Sequence, residues 1–180
     1  MQVFFLAAAF ACALLVLHAQ SSGTRPEPSA PALPKEVKRL EAWVGTWDAE
    51  VEMMGTTSSG SETCRLDCAG FWLVTEHTGS FMGQPFHGRG LTGFDPARQA
   101  YAGVWVDSIG GPMSVFTDGE FSADGKTFGA NVDGVGMDGK PGRFEYRSTF
   151  PDARSRTFEV FQLDGAKREL QMRIRYSRKV

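Results

Sequence analysis

Hydrophobic and polar residues alternate along most of this chain, and the alternation is clearest in its last segment. There Leu170, Met172, Ile174, Tyr176 and Arg178 occupy every second position, and charged or polar residues fill the positions between them. A period of two places successive side chains on opposite faces of a β-strand. This segment therefore predicts a strand with one buried face and one face in water.

Similar segments recur about every 8–12 residues and predict about ten strands. They are Thr46–Met53, Gly60–Leu66, Phe71–Met82, Phe86–Phe94, Gln99–Asp107, Met113–Phe121, Thr127–Val135, Gly142–Phe150, Arg156–Leu163 and Arg168–Arg178. Asp-Gly pairs, which are typical of tight hairpin turns, begin at Asp118, Asp124, Asp133, Asp138 and Asp164. Most of these pairs are expected to be turns, so the chain is predicted to be an antiparallel meander.

Such a meander removes its exposed edges only by closing on itself. We therefore predict an all-β fold, a closed antiparallel up-and-down barrel, with a two-layer sandwich as the alternative. Before the first strand, Val37, Leu40, Trp43 and Val44 share one helical face, and Gly45 follows as a stop signal. Because a helix this short is not stable alone, we expect it to cap one end of the barrel.

The predicted structural signature of the closure consists of Gly45, Trp47 and Arg178. Trp47 and Arg178 lie in phase with the apolar faces of the first and last strands. Closure should therefore bring the guanidinium over the indole, a contact that contributes about 0.5–2 kcal/mol.

The N-terminal region has a different composition. The first 24 residues contain no Lys, Arg, Asp or Glu, and Val3–Leu17 is an almost unbroken apolar run. The run is shorter than the roughly 20 residues of a membrane span. It predicts a signal peptide over residues 1–19 and a secreted or periplasmic protein. Residues 20–34 are predicted to be a disordered Pro/Ser-rich linker, and residues 35–180 the barrel domain.

Charge and cysteine content restrict the partners. The formal net charge is −2 and no Lys/Arg cluster is present, so nucleic acid is not an expected partner. The sequence leaves the oligomeric state open. Cys64 and Cys68 are close enough in sequence to form a disulfide across a turn, with two buried thiols as the alternative. The spacing of these cysteines with His77 and His87 matches no zinc motif, so we predict no metal and no cofactor.

Several motifs resemble a known family. They are Val44-Gly45-Thr46-Trp47, the segment from Met82 through Gly88-Arg89-Gly90-Leu91-Thr92-Gly93-Phe94-Asp95, Trp105-Val106-Asp107-Ser108 and Tyr176-Ser177-Arg178. These residues resemble the lipocalin-like calycin superfamily, and more specifically the bacterial family called domain of unknown function fifteen-seventy-nine. The resemblance covers roughly residues 36–178 and implies a barrel without an established activity. The chain departs from the family pattern at Phe94, where tyrosine is expected, and at His87, where an acidic residue is expected.

Candidate ligand contacts follow from the faces of the predicted strands. Tyr101, Trp105 and Asp107 share one face of a strand whose other face is small and aliphatic, so either face can point inward. With the aromatic face inside, the strand supplies flat walls and one polar anchor, as small-molecule pockets do; otherwise Trp105 fills the core and Asp107 caps a turn. The predicted ligand-binding set is His77, Tyr101, Trp105, Asp107, Tyr146 and Met172.

We predict no catalytic residues, because Glu50, Glu52, Glu145 and Glu159 all lie opposite the apolar faces. The leading hypothesis is an exported barrel that binds a small apolar or aromatic molecule. The first alternative is an isomerase or hydrolase that uses His77 with Asp107 or Tyr146. The second is a cell-envelope module that binds another protein.

Overall fold

The computed structural model describes residues 32–136 and 139–179. The predicted signal peptide and most of the predicted linker lie outside the described residues. The described chain contains helix α1 (Lys35–Lys38), a 3-10 turn (Arg39–Ala42) and ten strands. The strands are β1 Gly45–Met53, β2 Thr56–Asp67, β3 Trp72–Phe81, β4 Gln84–Asp95, β5 Ala100–Asp107, β6 Ser114–Phe121, β7 Thr127–Val135, β8 Pro141–Thr149, β9 Ser155–Asp164 and β10 Lys167–Arg178.

The ten strands form one closed barrel in which β1 pairs with both β2 and β10. Every neighbouring pair is antiparallel, and Trp47 lies opposite Arg178 in the β1–β10 ladder. The predicted closed barrel of about ten strands is therefore confirmed. Because consecutive strands reverse direction, the odd-to-even turns lie at one end of the barrel, called here the open end. The even-to-odd turns lie at the other end, the closed end, together with α1.

The helical segment covers the closed end through its apolar residues. Leu40 is fully buried, and the Trp43 ring makes edge contacts with Phe121, Phe128 and Phe150 at centroid distances of 5.3, 5.2 and 4.7 Å. The hydroxyl of Tyr101 donates a hydrogen bond of 2.7 Å to the carbonyl of Glu36. These contacts explain why a segment too short to be stable alone is helical, and they confirm its predicted place.

Arg178 holds the closing seam together. Its guanidinium carbon lies 4.1 Å from the centroid of the Trp47 ring, its Nη1 donates to the carbonyl of Val44 (2.7 Å), and its Nε donates to the carbonyl of Ala153 (2.7 Å). Gly45 has a φ of +139°, and a Cβ there would lie 2.1 Å from Arg178 Nη1. The position therefore requires glycine, both for backbone conformation and for space. Gly45, Trp47 and Arg178, the residues of the predicted signature, meet at this seam.

Two local predictions are wrong. Asp118 and Asp133 lie inside β6 and β7 rather than in turns, whereas Asp124 and Asp164 border hairpin turns as expected; Asp138 lies outside the described residues. In β10 a register shift falls between Leu170 and Met172, so Leu170 pairs with Phe161 on the outer face. A bulge of this kind adds one residue to one strand, so the side chains before it lie on the opposite face from the one that simple alternation predicts. The alternation of the sequence alone does not reveal the bulge.

The β6–β7 ladder is the weakest part of the wall. Between the described residues of these strands, register pairs are present only at Glu120–Gly129 and Phe121–Phe128, next to the closed end. Farther along, the Asp118 carboxylate accepts hydrogen bonds from the backbone nitrogen and Nδ2 of Asn131, at 3.0 and 2.7 Å. A side chain thus replaces the backbone ladder where β6 and β7 approach the open end.

Candidate functional site

A layer of buried polar side chains crosses the middle of the barrel. Glu62, His77, Arg156 and Tyr176, which we call the polar layer, project inward from β2, β3, β9 and β10, and each is at most 5% exposed. The strand register explains their meeting, because Glu62 lies opposite His77 and Arg156 lies opposite Tyr176. The layer divides the interior into a closed half, toward α1, and an open half.

The carboxylate of Glu62 is the centre of this layer. Arg156 Nη2 forms a short ion pair with Oε1, and the hydroxyl of Tyr176 donates to Oε2 at 2.7 Å. His77 Nδ1 lies 3.4 Å from Oε2, and the thiol of Cys64 donates to Oε1 at 3.3 Å. Both oxygens therefore have partners, as a buried charge requires.

These contacts set the protonation states. Burial opposes ionisation of Glu62, but the positive charge of Arg156 and the hydrogen bonds from His77, Tyr176 and Arg156 outweigh it and lower the pKa to about 2. Burial, followed by the nearby charge of Glu62, raises the pKa of Cys64 to about 12. The same causes, in the same order, raise the pKa of Tyr176 well above its ordinary value. At neutral pH the layer therefore holds a carboxylate and a phenol, and the thiol of Cys64 beside it is unreactive.

Arg156 lies between two aromatic rings. Its guanidinium carbon is 3.6 Å from the centroid of Tyr176 and 4.9 Å from that of Trp47. Its Nε is the one buried side-chain nitrogen or oxygen without a hydrogen-bond partner in the described chain. Because Arg178 contacts the same Trp47 ring, the polar layer is joined to the closing seam through stacked cations and rings.

The two halves of the interior differ in packing. In the closed half, Trp43, Tyr101, Phe128 and Phe150 are buried in one aromatic cluster. In the open half, large inward-facing side chains remain partly exposed to solvent. We call this set the cup: Phe86, Trp105, Tyr146, Phe158, Val160 and Met172. The closed half is a packed core, whereas the open half combines buried residues such as Val132 and Phe144 with the cup side chains, which water reaches in part.

Glycines in β4 determine the position of the Trp105 ring. A Cβ at Gly88 would lie 2.0 Å from Trp105 Cζ2, and a Cβ at Gly90 would lie 3.2 Å from Cε3. The indole therefore lies flat against the backbone of β4, which a side chain at Gly88 would prevent. Its Nε1 donates to Asp107 Oδ2 at 3.1 Å, while Asp107 Oδ1 accepts from the backbone of Ile109 at 3.0 Å.

A second polar contact lies in the cup. The hydroxyl of Tyr146 donates to Ser114 Oγ at 3.3 Å, and Ser114 lies opposite Trp105 in the β5–β6 register. The Tyr146 ring meets Phe158 edge-on at a centroid distance of 5.4 Å. Burial raises the pKa of Tyr146, and the charge of Asp107 adds to this effect. The cup therefore combines aromatic walls with a few hydrogen-bonding groups, as small-molecule sites do.

A surface depression of about 420 Å³ lies next to the cup, where the β6–β7 ladder is missing. It is lined by Met113, Val115, Phe116, Thr117, Asp118, Asn131, Asp133 and Arg143. Its lining includes inward-facing Phe116 together with outward-facing residues of the same strand, so it extends into the wall of the barrel. A smaller depression of about 170 Å³ lies beside α1 and is lined by Tyr101 and Phe121 among others.

Comparison with known proteins defines the family. Residues 33–178 match the family described as protein of unknown function (DUF1579). The chain belongs to this family. Its barrel is lipocalin-like, and no curated protein matches the sequence significantly.

Three solved structures are similar to this DUF1579 chain, and the first two of them share its barrel fold. Rv2717c from M. tuberculosis has a TM-score of 0.54 and 12% identity, with coverage of 83% of this chain and 100% of that one. The S-type phycobiliprotein lyase CPES from Guillardia theta has a TM-score of 0.50 and 12% identity, covering 79% and 92%. A redesigned beta barrel, mFAP1, bound to DFHBI, has a TM-score of 0.42 and 15% identity, covering 78% and 98%. At these identities the similarity shows the fold alone.

The structure brings part of the predicted ligand-binding set together. Trp105, Asp107 and Tyr146 meet around Ser114 in the open half, because the aromatic face of β5 points inward. Met172 lies opposite Met53 on the adjoining wall and packs against the buried cluster that contains Ile174. The two other members lie elsewhere: His77 in the polar layer and Tyr101 in the aromatic cluster of the closed half.

The cysteines are free thiols in different parts of the barrel. Cys64 is buried beside Glu62, and Cys68 is exposed in the β2–β3 turn. The structure therefore contains neither the disulfide nor the alternative of two buried thiols. Residues two positions apart in a regular strand share a face, so Cys64 points inward with Glu62 and Leu66. Cys68 lies beyond the end of β2 and has a φ of +50°.

Glu62 and Arg156 are absent from the predicted set. Each has a weak signal in the sequence: Glu62 is in phase with Cys64, and Arg156 is in phase with Phe158. The segment around Glu62 consists mostly of Ser, Thr and Gly, so its inward face is not apparent from hydrophobicity. The carboxylates at Glu50, Glu52, Glu145 and Glu159 lie in ion pairs on the outer face, as predicted. Among the described residues, no cluster of three or more His, Cys, Asp or Glu side chains is arranged to hold a metal.

Proposed function

We propose that this protein binds a small apolar or aromatic molecule in the open half of its barrel. The observation that carries the proposal is the contrast between a closed half packed with aromatic rings and a cup whose aromatic side chains remain in contact with solvent. Apolar surface that water reaches gains free energy when a ligand covers it, by roughly 25 cal/mol per Å². The shared fold of the solved structures contributes no argument about the ligand.

The proposed site has a floor, walls and an entrance. The polar layer forms the floor, with Tyr176 and His77 held by Glu62. Trp105 and Tyr146 form walls, and the hydroxyl of Ser114 with the carboxylate of Asp107 supplies polar partners near the mouth. The depression of about 420 Å³ beside β6 and β7 is lined by none of the cup residues and is a separate feature of the outer wall.

Export is the second part of the proposal. Support comes from the apolar, charge-free run Val3–Leu17 and the small residue at Ala19. We infer that the protein works in the periplasm or outside the cell, at the cell envelope. In the described part of the chain, no helix is long and apolar enough to span a membrane. Mass spectrometry of the exported protein tests this, because cleavage near Ala19 is expected and an intact N-terminus contradicts it.

A neutral aromatic probe tests the binding site. N-phenyl-1-naphthylamine, whose fluorescence increases in apolar surroundings, is titrated into the wild type and into Val160→Trp, which fills the cup from β9. The matched control is Val106→Trp, which adds the same ring on the exposed outer face of β5. We expect one saturable site that Val160→Trp weakens at least about tenfold and Val106→Trp leaves unchanged. No saturable binding by the folded wild type, or equal weakening by both variants, contradicts the proposal.

An enzymatic role for His77 with Asp107 or Tyr146 has less support. His77 contacts Glu62 and the ring of Phe86, and no hydrogen bond joins it to Asp107 or Tyr146 within the described residues. Its Nδ1 is directed at a carboxylate that already has three other donors. This arrangement fixes the imidazole in place and is consistent with a structural role in the floor of the cup.

A further inference from the structure

The exposed apolar side chains of this barrel are concentrated at its open end. Ten large hydrophobic residues of the described chain are exposed, and Trp72 and Leu91 are the two that lie away from this end. We define the apolar rim as the five at or beside the turns: Met54, Met82, Ile109, Met113 and Val135. Exposed apolar surface concentrated in one region marks an interaction site.

Two of these residues occupy backbone positions that disfavour them. The β1–β2 and β3–β4 hairpins each have a two-residue turn, Met54-Gly55 and Met82-Gly83, in which both residues have positive φ. Turns of this type strongly prefer Asn-Gly or Asp-Gly, and a non-glycine residue with positive φ is uncommon unless it is Asn, Asp or His. Met54 and Met82 are nevertheless present, 65% and 79% exposed. Neither the turn geometry nor core packing accounts for a methionine at these positions.

The charge distribution of the rim identifies its partner. The turn segments 53–56, 81–84 and 108–113 contain no charged residue, whereas the two other turns at this end contain charges of both signs, among them Lys140, Asp164 and Lys167. The apolar side chains at the tips of the uncharged turns complement a surface that has an apolar interior and no net charge. The tips also stand on separate turns around the mouth, and Met is flexible. A deformable layer can accept each tip separately, whereas a rigid partner must match all of them at once.

We propose that the apolar rim docks the open end of the barrel onto a neutral lipid surface, with Met54 and Met82 inserted among the lipids. The docked orientation turns the mouth of the cup toward the bilayer and α1 away from it. Docking does not require that the cup hold a ligand. If the proposed ligand-binding function is also correct, an apolar ligand can pass between bilayer and cup without crossing water.

Residue-specific protection tests the orientation in the full-length protein. Hydrogen peroxide oxidises exposed methionines to sulfoxides, and peptide mass spectrometry gives a separate rate for each. With vesicles of palmitoyl-oleoyl phosphatidylcholine we expect oxidation of Met54, Met82 and Met113 to slow at least about threefold. Alkylation of Cys68, which is exposed at the closed end, should keep its rate. Attachment through the apolar segment Val3–Leu17 alone would leave the three methionines unprotected, and this result overturns the proposal.

Paired substitutions test the energetics. Met54→Asn and Met82→Asn together should reduce the partition coefficient on these vesicles by at least about tenfold. The double variant should unfold at the same or a higher temperature than the wild type, because Asn-Gly suits both turns better. Gln99→Asn is the matched control, since Gln99 has a φ of +54° in a turn at the closed end; it should bind vesicles like the wild type.

Three outcomes overturn the proposal. In the first, the folded wild type fails to associate with phosphatidylcholine vesicles, which leaves the rim to a protein partner. In the second, the double variant binds the vesicles as tightly as the wild type. In the third, binding requires added phosphatidylglycerol, which assigns the binding to basic residues.

Val160→Trp separates this proposal from the previous one. A filled cup should leave vesicle binding unchanged, and loss of vesicle binding in that variant would show that a lipid enters the cup without docking of the rim.

Discussion

Replacing Glu62 with glutamine should destabilise the barrel strongly, in a way that depends on pH. The substitution keeps the shape of the side chain but leaves Arg156, which is 3% exposed, without a counter-charge. Breaking a buried pair by removing one partner costs about 3–5 kcal/mol. We therefore expect Glu62→Gln to lower the free energy of unfolding at pH 7 by about that amount.

The pH dependence follows from the pKa of Glu62. Burial opposes the charge, but Arg156 and the hydrogen-bond donors lower the pKa from 4.5 to about 2. A carboxyl group whose pKa is depressed by folding stabilises the protein above its unfolded pKa and loses this contribution as the pH falls through the folded pKa. At 1.36 kcal/mol per pH unit the contribution is about 3 kcal/mol. The difference between the wild type and Glu62→Gln should therefore decrease by about 3 kcal/mol between pH 6 and pH 2.

Urea unfolding followed by tryptophan fluorescence measures both quantities across this pH range. Glu52→Gln is the control, because Glu52 is also paired with an arginine, Arg175, but on the outer face in water. Its effect should be much smaller, since water screens the pair. The double variant Glu62→Gln/Arg156→Met should recover part of the lost stability. A Glu62→Gln effect below about 1 kcal/mol, or one that is constant with pH, would refute this interpretation of the polar layer.

Three further predictions concern the seam, the cup and the thiols. Arg178→Ala should lower the free energy of unfolding by about 1–2 kcal/mol, because it removes the contact with Trp47 and two hydrogen bonds to backbone carbonyls; an unchanged urea midpoint would contradict this. Gly88→Ala should cost about 1–3 kcal/mol and weaken probe binding, because its Cβ displaces the Trp105 ring; wild-type stability and affinity would contradict the placement of that ring. At pH 8 a thiol reagent should react quickly with Cys68 but with Cys64 only after unfolding, because burial and the charge of Glu62 raise the pKa of Cys64 to about 12. Cys68→Ala should therefore remove one rapidly reacting thiol per chain, and Cys64→Ala none.

The sequence predicts the fold more completely than the site. Alternation in segments such as β10 defines strands with one wet face, and the phase of Trp47 and Arg178 identifies the two strands that meet. Both signals depend on hydrophobic contrast between neighbouring positions. Where the contrast is strong, the strand boundaries differ from the observed ones by one or two residues.

The polar layer is not predicted because its polar residues occupy inward positions, where the alternation pattern predicts hydrophobic residues. Glu62 and Arg156 point inward from strands whose charged residues otherwise point outward, and their burial is favourable only because they meet each other. That meeting depends on the register of β2 and β9 across the barrel, 94 residues apart in sequence. Buried polar groups can be identified from alternation alone only if the inward face of each strand is already known.

The central claim is that the cup binds an apolar or aromatic molecule beside Trp105. The most direct measurement is energy transfer from tryptophan to bound N-phenyl-1-naphthylamine in the wild type, in Trp105→Phe and in Trp72→Phe, which changes an exposed ring on the outer face. The account predicts that Trp105→Phe removes most of the transfer while the probe still saturates one site, and that Trp72→Phe leaves the transfer unchanged. Undiminished transfer in Trp105→Phe would place the probe elsewhere and contradict the claim.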